Sequence, residues 1–147
     1  MAKNKKVISD KAPSGKVVGG STVSYDAQCP IWRFDQLDRS GEFAFDIERV
    51  NHRLVLEKLI EYGNLTWGEI KRQTHDRTNK SKHHHLTGAK LSKEAEQRIR
   101  VKCLEEDIDD IFSFALMNKI RIIGLKRDAE FHIVWYDEEH RFCPSTK

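Results

Sequence analysis

The sequence predicts an α+β fold from three observations: helically spaced apolar residues in its middle, three short apolar runs near its end, and alternating aromatics ahead of the helices. The expected order is β-β-α-α-α-β-β-β, a two-layer arrangement in which the helices pack on one face of an antiparallel sheet. At 147 residues the chain fits one such domain.

Residues 1–24 hold five lysines and one aspartate and almost nothing large and apolar, so a flexible basic tail is expected there, with the single domain spanning 25–147. Packing begins at Ile31, Trp32, Phe34 and Leu37. The turn-like Asp38-Arg39-Ser40-Gly41 and the alternating Phe43 and Phe45 complete an expected β-hairpin. Asp46 is the expected cap of a first helix, in which Val50, Leu54, Leu59 and Tyr62 recur at near-helical spacing and Gly63 marks the end. Thr66-Trp67-Gly68-Glu69 matches a capping box and starts a short second helix. No periodicity runs from Thr74 to His85, which reads as a loop. Ser92 caps a third helix with Ala95, Ile99 and Cys103 on one stripe. The acidic cluster at 105–110 makes a turn. The runs Ile111–Leu116, Ile120–Leu125 and Phe131–Tyr136 then form an antiparallel meander.

Composition excludes several classes. Apolar residues make up 38% and charged residues 33%, so the chain is not disordered throughout. Its longest near-apolar run, Phe131–Tyr136, is far short of the roughly 20 residues that cross a bilayer, so no membrane partner is expected. Met1–Lys16 lacks the apolar stretch of a secretory signal, which points to the cytoplasm. Three cysteines without a CxxC suit neither a disulfide framework nor a cysteine zinc site. No nucleophile elbow, P-loop or dinucleotide fingerprint occurs, so no cofactor is expected.

The net charge of +3 conceals a basic block, residues 66–102, with ten basic against four acidic side chains. There Lys71, Arg72, Arg77, Lys80 and Lys82 lie close to His75, His83, His84 and His85. Such a block is either a phosphate surface or a solvated face, and Lys71 and Arg72 on the short helix fit both. Adjacent histidines do not converge easily on one ion, so no metal is expected.

The densest signal is the stretch Ile120–Pro144. Arg121 interrupts an apolar strand, and its guanidinium must meet a carboxylate, a phosphate or water. Cross-strand pairing with Glu130 or Asp137 and the holding of a phosphate both satisfy it. Gly124 allows a close approach or marks a bulge. His140 stands three residues after Asp137 where the last strand ends, a spacing that lets the carboxylate orient the imidazole as a general base or acid. One of the three adjacent histidines, His83, His84 or His85, facing the sheet is the candidate second acid or base, with His84 and His85 assigned to the site. RNA cleavage without metal needs a base, an acid and cations around the phosphorane, and all three types are present.

Paired helices followed by a three-stranded meander, with Arg121 in its middle strand and the charged aromatic finish His140-Arg141-Phe142, resemble the RelE/ParE superfamily of bacterial toxins over residues 48–143. The resemblance implies a basic α+β protein whose RelE-like branch cleaves messenger RNA without metal, often on the ribosome. It places Arg121, Lys126, His140 and Arg141 near the scissile phosphate and implies a neutralising antitoxin. The chain departs from those toxins in its extra N-terminal hairpin and in Cys143-Pro144, which stands in place of their usual tyrosine. Trp135-Tyr136-Asp137-Glu138-Glu139-His140 also resembles a small bacterial family that ends in a W-x-D-x-x-H motif.

Two function classes follow. The first is a toxin-like endoribonuclease with His140, Asp137, Arg121, His84 and His85 at the chemistry and Lys71, Arg72, Lys82, Lys126, Arg127 and Arg141 on RNA. The second is a non-enzymatic module that binds nucleic acid or protein. The acidic turn and the basic block are also complementary enough to suggest a homodimer.

Overall fold

The three C-terminal runs build the centre of one sheet in the computed structural model, which describes residues 24–76 and 78–144. Strands β3 (Ile111–Met117), β4 (Ile120–Arg127) and β5 (Glu130–Asp137) pair antiparallel in chain order, as the meander pattern predicts. Asn118 and Asp128, at φ 53° and 59°, supply the left-handed residues of the two tight turns.

The sheet's margins differ from expectation. β1 (Ile31–Arg33) pairs parallel to β5, and β2 (His84–His85) pairs antiparallel to β3, which gives a mixed sheet in the order β1-β5-β4-β3-β2. The predicted hairpin is absent. Its alternating phenylalanines straddle the sheet edge instead, Phe43 packing into one core and Phe45 into the other. Backbone bonds from Asp38 N–H to the Val134 carbonyl (2.8 Å) and from Tyr136 N–H to the Phe43 carbonyl (3.0 Å) hold this segment beside β5. Asp38 is 3% exposed and accepts hydrogen bonds from Arg98 (2.9 and 3.0 Å) and the Trp135 indole (2.9 Å). It ties the segment to a helix and a strand while also accepting the Ser40 N–H (3.3 Å), and its carbonyl accepts the Phe45 N–H (2.7 Å) without paired strands forming on either side.

The helices start where short side chains satisfy free backbone N–H groups. Asn51 caps α1 (His52–Gly63) through the Leu54 N–H, while Asp46, the cap expected from sequence, closes a separate turn through the Glu48 N–H. The capping box of α2 (Trp67–Arg72) is present in both directions, and Ser92 caps α3 (Lys93–Val101). A 3₁₀ helix, Glu105–Asp110, replaces the acidic turn.

The helices cover both faces of the sheet, not one. Strand alternation explains this: Phe112, Phe114 and Phe131 pack with α1 and α2, whereas Ile111, Ile123, Leu125 and Trp135 pack with Ala95 and Ile99 of α3. A strand buried on both faces reads as a continuous apolar run, as Phe131–Tyr136 does. A bulge at Val134 separates the pairs Ile123–Trp135 and Gly124–Ile133. It brings the His132 carbonyl so close that a Cβ on residue 124 would lie 2.1 Å from that oxygen, so only glycine fits.

Beyond the two-residue β2, side chains continue the pairing of β3. Ala115 donates its N–H to His83 Nδ1 (3.0 Å), and its carbonyl accepts from the Tyr62 hydroxyl (2.7 Å). Among the described residues no helix is long and apolar enough to cross a membrane. The expected basic tail, 1–24, lies outside the described residues except for Ser24.

Candidate functional site

A cleft of about 740 Å³ opens on the α3 side of the sheet, where the β3–β4 turn meets the end of β5. Strand register builds its floor. Ser113 pairs with Ile123 and Arg121 pairs with Asp137, and all four residues line the cleft. His140 and Cys143 enter from the chain after β5, His84 from β2, and Lys119 from the β3–β4 turn. The last wall is a small ladder preceding β2, in which Thr74 bridges Ser81, the Lys82 N–H meets the Gln73 carbonyl, and the His75 N–H meets the Lys80 carbonyl. It contributes His75, Lys80 and Lys82.

Alternation sorts the three adjacent histidines. His83, 1% exposed, faces α1; its Nδ1 accepts from Ala115, so Nε2 carries the proton and donates to Gln73 Oε1 at 2.7 Å. Burial, reinforced by Lys82 and Arg121, drives its pKa down to about 3. His85 also points to the α1/α2 side, where its ring packs edge-on against Phe112. Of the trio only His84 lines the cleft. The expectation that His85 shares the site with His140 is therefore corrected, because residues two apart on a strand share the face opposite to the one between them.

Arg121 is half-buried. Its Nη1 donates to the carbonyls of Asn118 (2.8 Å) and Ile120 (3.0 Å), and among the described residues no carboxylate comes within 4.0 Å of it. Asp137 sits opposite in register without forming the cross-strand ion pair. Burial lowers the arginine's pKa and Asp137 partly restores it, so the charge persists and the remaining N–H groups have no acceptor among the described residues.

His140 adopts φ 60°, a region that histidine tolerates better than most residues. Burial first and the Arg121 charge next push its pKa below the ordinary histidine value, with Asp137 opposing. The imidazole is thus neutral at pH 7 and free to accept a proton. Asp137 does not orient it. The two carboxylate oxygens accept the backbone N–H groups of Arg141 (2.9 Å) and Phe142 (2.8 Å), so Asp137 folds the turn that carries His140 rather than fixing its tautomer. Burial and Asp137 raise the Cys143 thiol, which leaves it a poor nucleophile.

Of the six cations expected on RNA, the cleft contains Lys82 alone. Lys71 pairs with Asp26 at 2.7 Å, and Arg72 is exposed at the end of the same helix, α2. Lys126 lies on the opposite face, 4.7 Å above the Trp67 ring, with its ammonium bonded to the Asp128 carbonyl. Arg127 bridges Asp107 and Asp110, and Arg141 pairs with Glu42. Lys126 is placed by the same alternation as the histidines, since it lies five positions, an odd number, along an unbulged strand from Arg121.

His75, Lys80, Lys119 and the acidic Glu139 also line the cleft, and none of them is among the site residues expected from sequence. The first two belong to the basic block. Lys119 was detectable only from its place in a two-residue turn next to Arg121. Among the described residues no group of three His, Cys, Asp or Glu side chains is placed to hold an ion. Comparison with protein families, curated proteins and solved structures finds no match to the chain.

Proposed function

We propose that the cleft binds an RNA phosphate and that His140 and His84 cleave the strand beside it by acid–base chemistry, as a toxin-like, metal-independent endoribonuclease. The observation that carries this reading is the gathering of Arg121, Lys80, Lys82 and Lys119 around two imidazoles, with no carboxylate within 4.0 Å of any of these cations among the described residues. Such a cleft attracts an anion and stabilises added charge on it.

His140, neutral at pH 7, takes the proton from a ribose 2′-hydroxyl as that oxygen attacks phosphorus. The bond from phosphorus to the 5′-oxygen breaks, and His84 supplies the proton that this oxygen needs. Arg121 and Lys82 hold the phosphorane. The products are a 2′,3′-cyclic phosphate and a free 5′-hydroxyl. Action on messenger RNA at the ribosome in the cytoplasm, with an antitoxin as neutralising partner, rests on the sequence resemblance of residues 48–143 to the RelE/ParE toxins alone.

A test is cleavage of a mixed RNA, free and ribosome-bound, in excess EDTA by wild type and His140→Ala. The expected result is cleavage by wild type and a loss of about 100-fold or more in the variant. No cleavage by wild type in either context overturns the enzymatic reading. One observation favours a second reading, a binding module without catalysis: both Asp137 oxygens are occupied by backbone, so His140 lacks a carboxylate orienter. That module shows steep salt dependence and no bell-shaped pH profile.

A further inference from the structure

We propose that the ladder of residues 73–75 and 80–83 is a phosphate-gripping arm, and that its hold on a nucleic-acid strand is set from the protein core by the His83–Gln73 hydrogen bond. The proposal rests on the RNA-binding reading of the cleft and adds a positioning pair to it. The ladder has three cross-connections, and it places Lys80 and Lys82 on the cleft wall at the β2 margin of the sheet. A two-stranded ribbon this short is not stable by itself in water, so its placement must come from an anchor.

The anchor is visible. His83 is the last residue of the ladder, and its ring is wedged between Tyr62 and Phe114 at 4.8 and 5.3 Å between ring centroids. Its two nitrogens join different parts of the molecule. Nδ1 accepts from β3 of the sheet, and Nε2 donates to the side chain of Gln73, the first residue of the ladder. One ring therefore clamps both strands of the arm, at its base, to the sheet that carries Arg121. The clamp needs a neutral ring with a fixed tautomer, and burial in an aromatic pocket enforces the neutral form. Lys80 and Lys82 are then presented to the cleft in a set direction rather than sampling solvent, which reduces the ordering cost of gripping a phosphate.

The test measures binding of a fluorescein-labelled single-stranded RNA 20-mer of mixed sequence by anisotropy across a salt series, for the full chain and its variants. Each phosphate contact contributes about −0.7 to the slope of log K against log salt for a single strand. Replacing both lysines, Lys80→Ala with Lys82→Ala, is expected to flatten the slope by about 1.4. Gln73→Ala, which leaves the buried ring and its bond to Ala115 in place, is expected to flatten the slope in the same direction. Combining it with the lysine pair is expected to add less than about a twofold loss, because the anchor acts through those lysines. His83→Asn, whose side-chain oxygen can replace Nδ1 but cannot reach Gln73, serves as a second variant with its melting temperature followed.

A Gln73→Ala slope equal to that of wild type, or full additivity with the lysine pair, overturns the anchor. An unchanged slope in the lysine pair, with binding abolished by Arg121→Ala, overturns the arm while sparing the cleft. Absence of RNA binding by wild type at 50 mM salt overturns the RNA-binding reading, and the arm with it.

Discussion

The two faces of the sheet carry the same kinds of residue and use them in opposite ways. On the α1/α2 face, His83 has both nitrogens bonded, His85 packs on Phe112 and Lys126 sits over Trp67. On the α3 face, at the cleft, Arg121 has spare N–H groups, His84 and His140 line open space, and the lysines have no carboxylate partner among the described residues. Charge alone does not mark a site. What distinguishes the cleft is donor capacity that the fold leaves unspent, and β4 shows it within one strand: Arg121 and Lys126 point to opposite faces, the first unsatisfied and the second engaged.

The contrast can be broken from the structural side first. His83→Ala removes a buried ring and strands the Ala115 N–H, so a loss of about 3 kcal/mol in urea unfolding is expected. A change below about 1 kcal/mol would mean that this histidine does not anchor the fold. On the cleft side, Arg121→Ala is expected to lower RNA cleavage by about 100-fold while the urea midpoint stays close to wild type, because no ion pair is lost. Its companion Arg127→Ala, which breaks contacts to Asp107 and Asp110, is expected to leave cleavage unchanged. Equal activity losses in the two would erase the distinction.

Lys126→Ala sharpens the comparison at smaller scale. Loss of its contact with Trp67 is expected to cost about 1 kcal/mol of stability with RNA affinity unaltered.

Titration separates the histidines. His83 has a folded pKa of about 3 against an ordinary value of 6.5, so the unfolded chain binds the extra proton first and His83's contribution to stability is lost as pH falls from about 6.5 toward 3. His140, followed by NMR, is expected to titrate below the ordinary histidine value and to move upward in Arg121→Ala, which removes one of its two main depressing influences. A shift in the downward direction would show that the arginine does not face it.

Much of the fold was legible because its determinants are local. Thr66 with Glu69, Ser92 with Ala95, and the Asn118 and Asp128 turns are decided within four residues, and each was found from sequence or lies at a predicted break. The hairpin failed because Phe43 and Phe45 alternate for a reason that strand pairing does not require: they bracket a sheet edge. The parallel β1–β5 contact joins residues about 100 apart, and no local pattern specifies it. The cleft was legible by residue type, since His84, Arg121, Asp137 and His140 converge there. Their bonding was not legible. Asp137 chooses backbone N–H groups over His140 because the returning chain presents them within 3 Å, a fact of tertiary geometry. The placement of Lys126 was recoverable, because two-residue periodicity within β4 puts it on the face away from Arg121, whereas that of His85 was not, because its stretch reads as a loop and its face is set by the register with β3.

The bonding around Ala115 also bears on the chain's behaviour in a crowd. A strand margin with free N–H and C=O groups is a template onto which another copy can stack, and the two-residue β2 is too short to cover it. His83 and Tyr62 occupy both polar groups of Ala115 from the side, so a second chain finds no donor or acceptor at that position. The same histidine that completes the interior thereby closes the margin to strand pairing at Ala115.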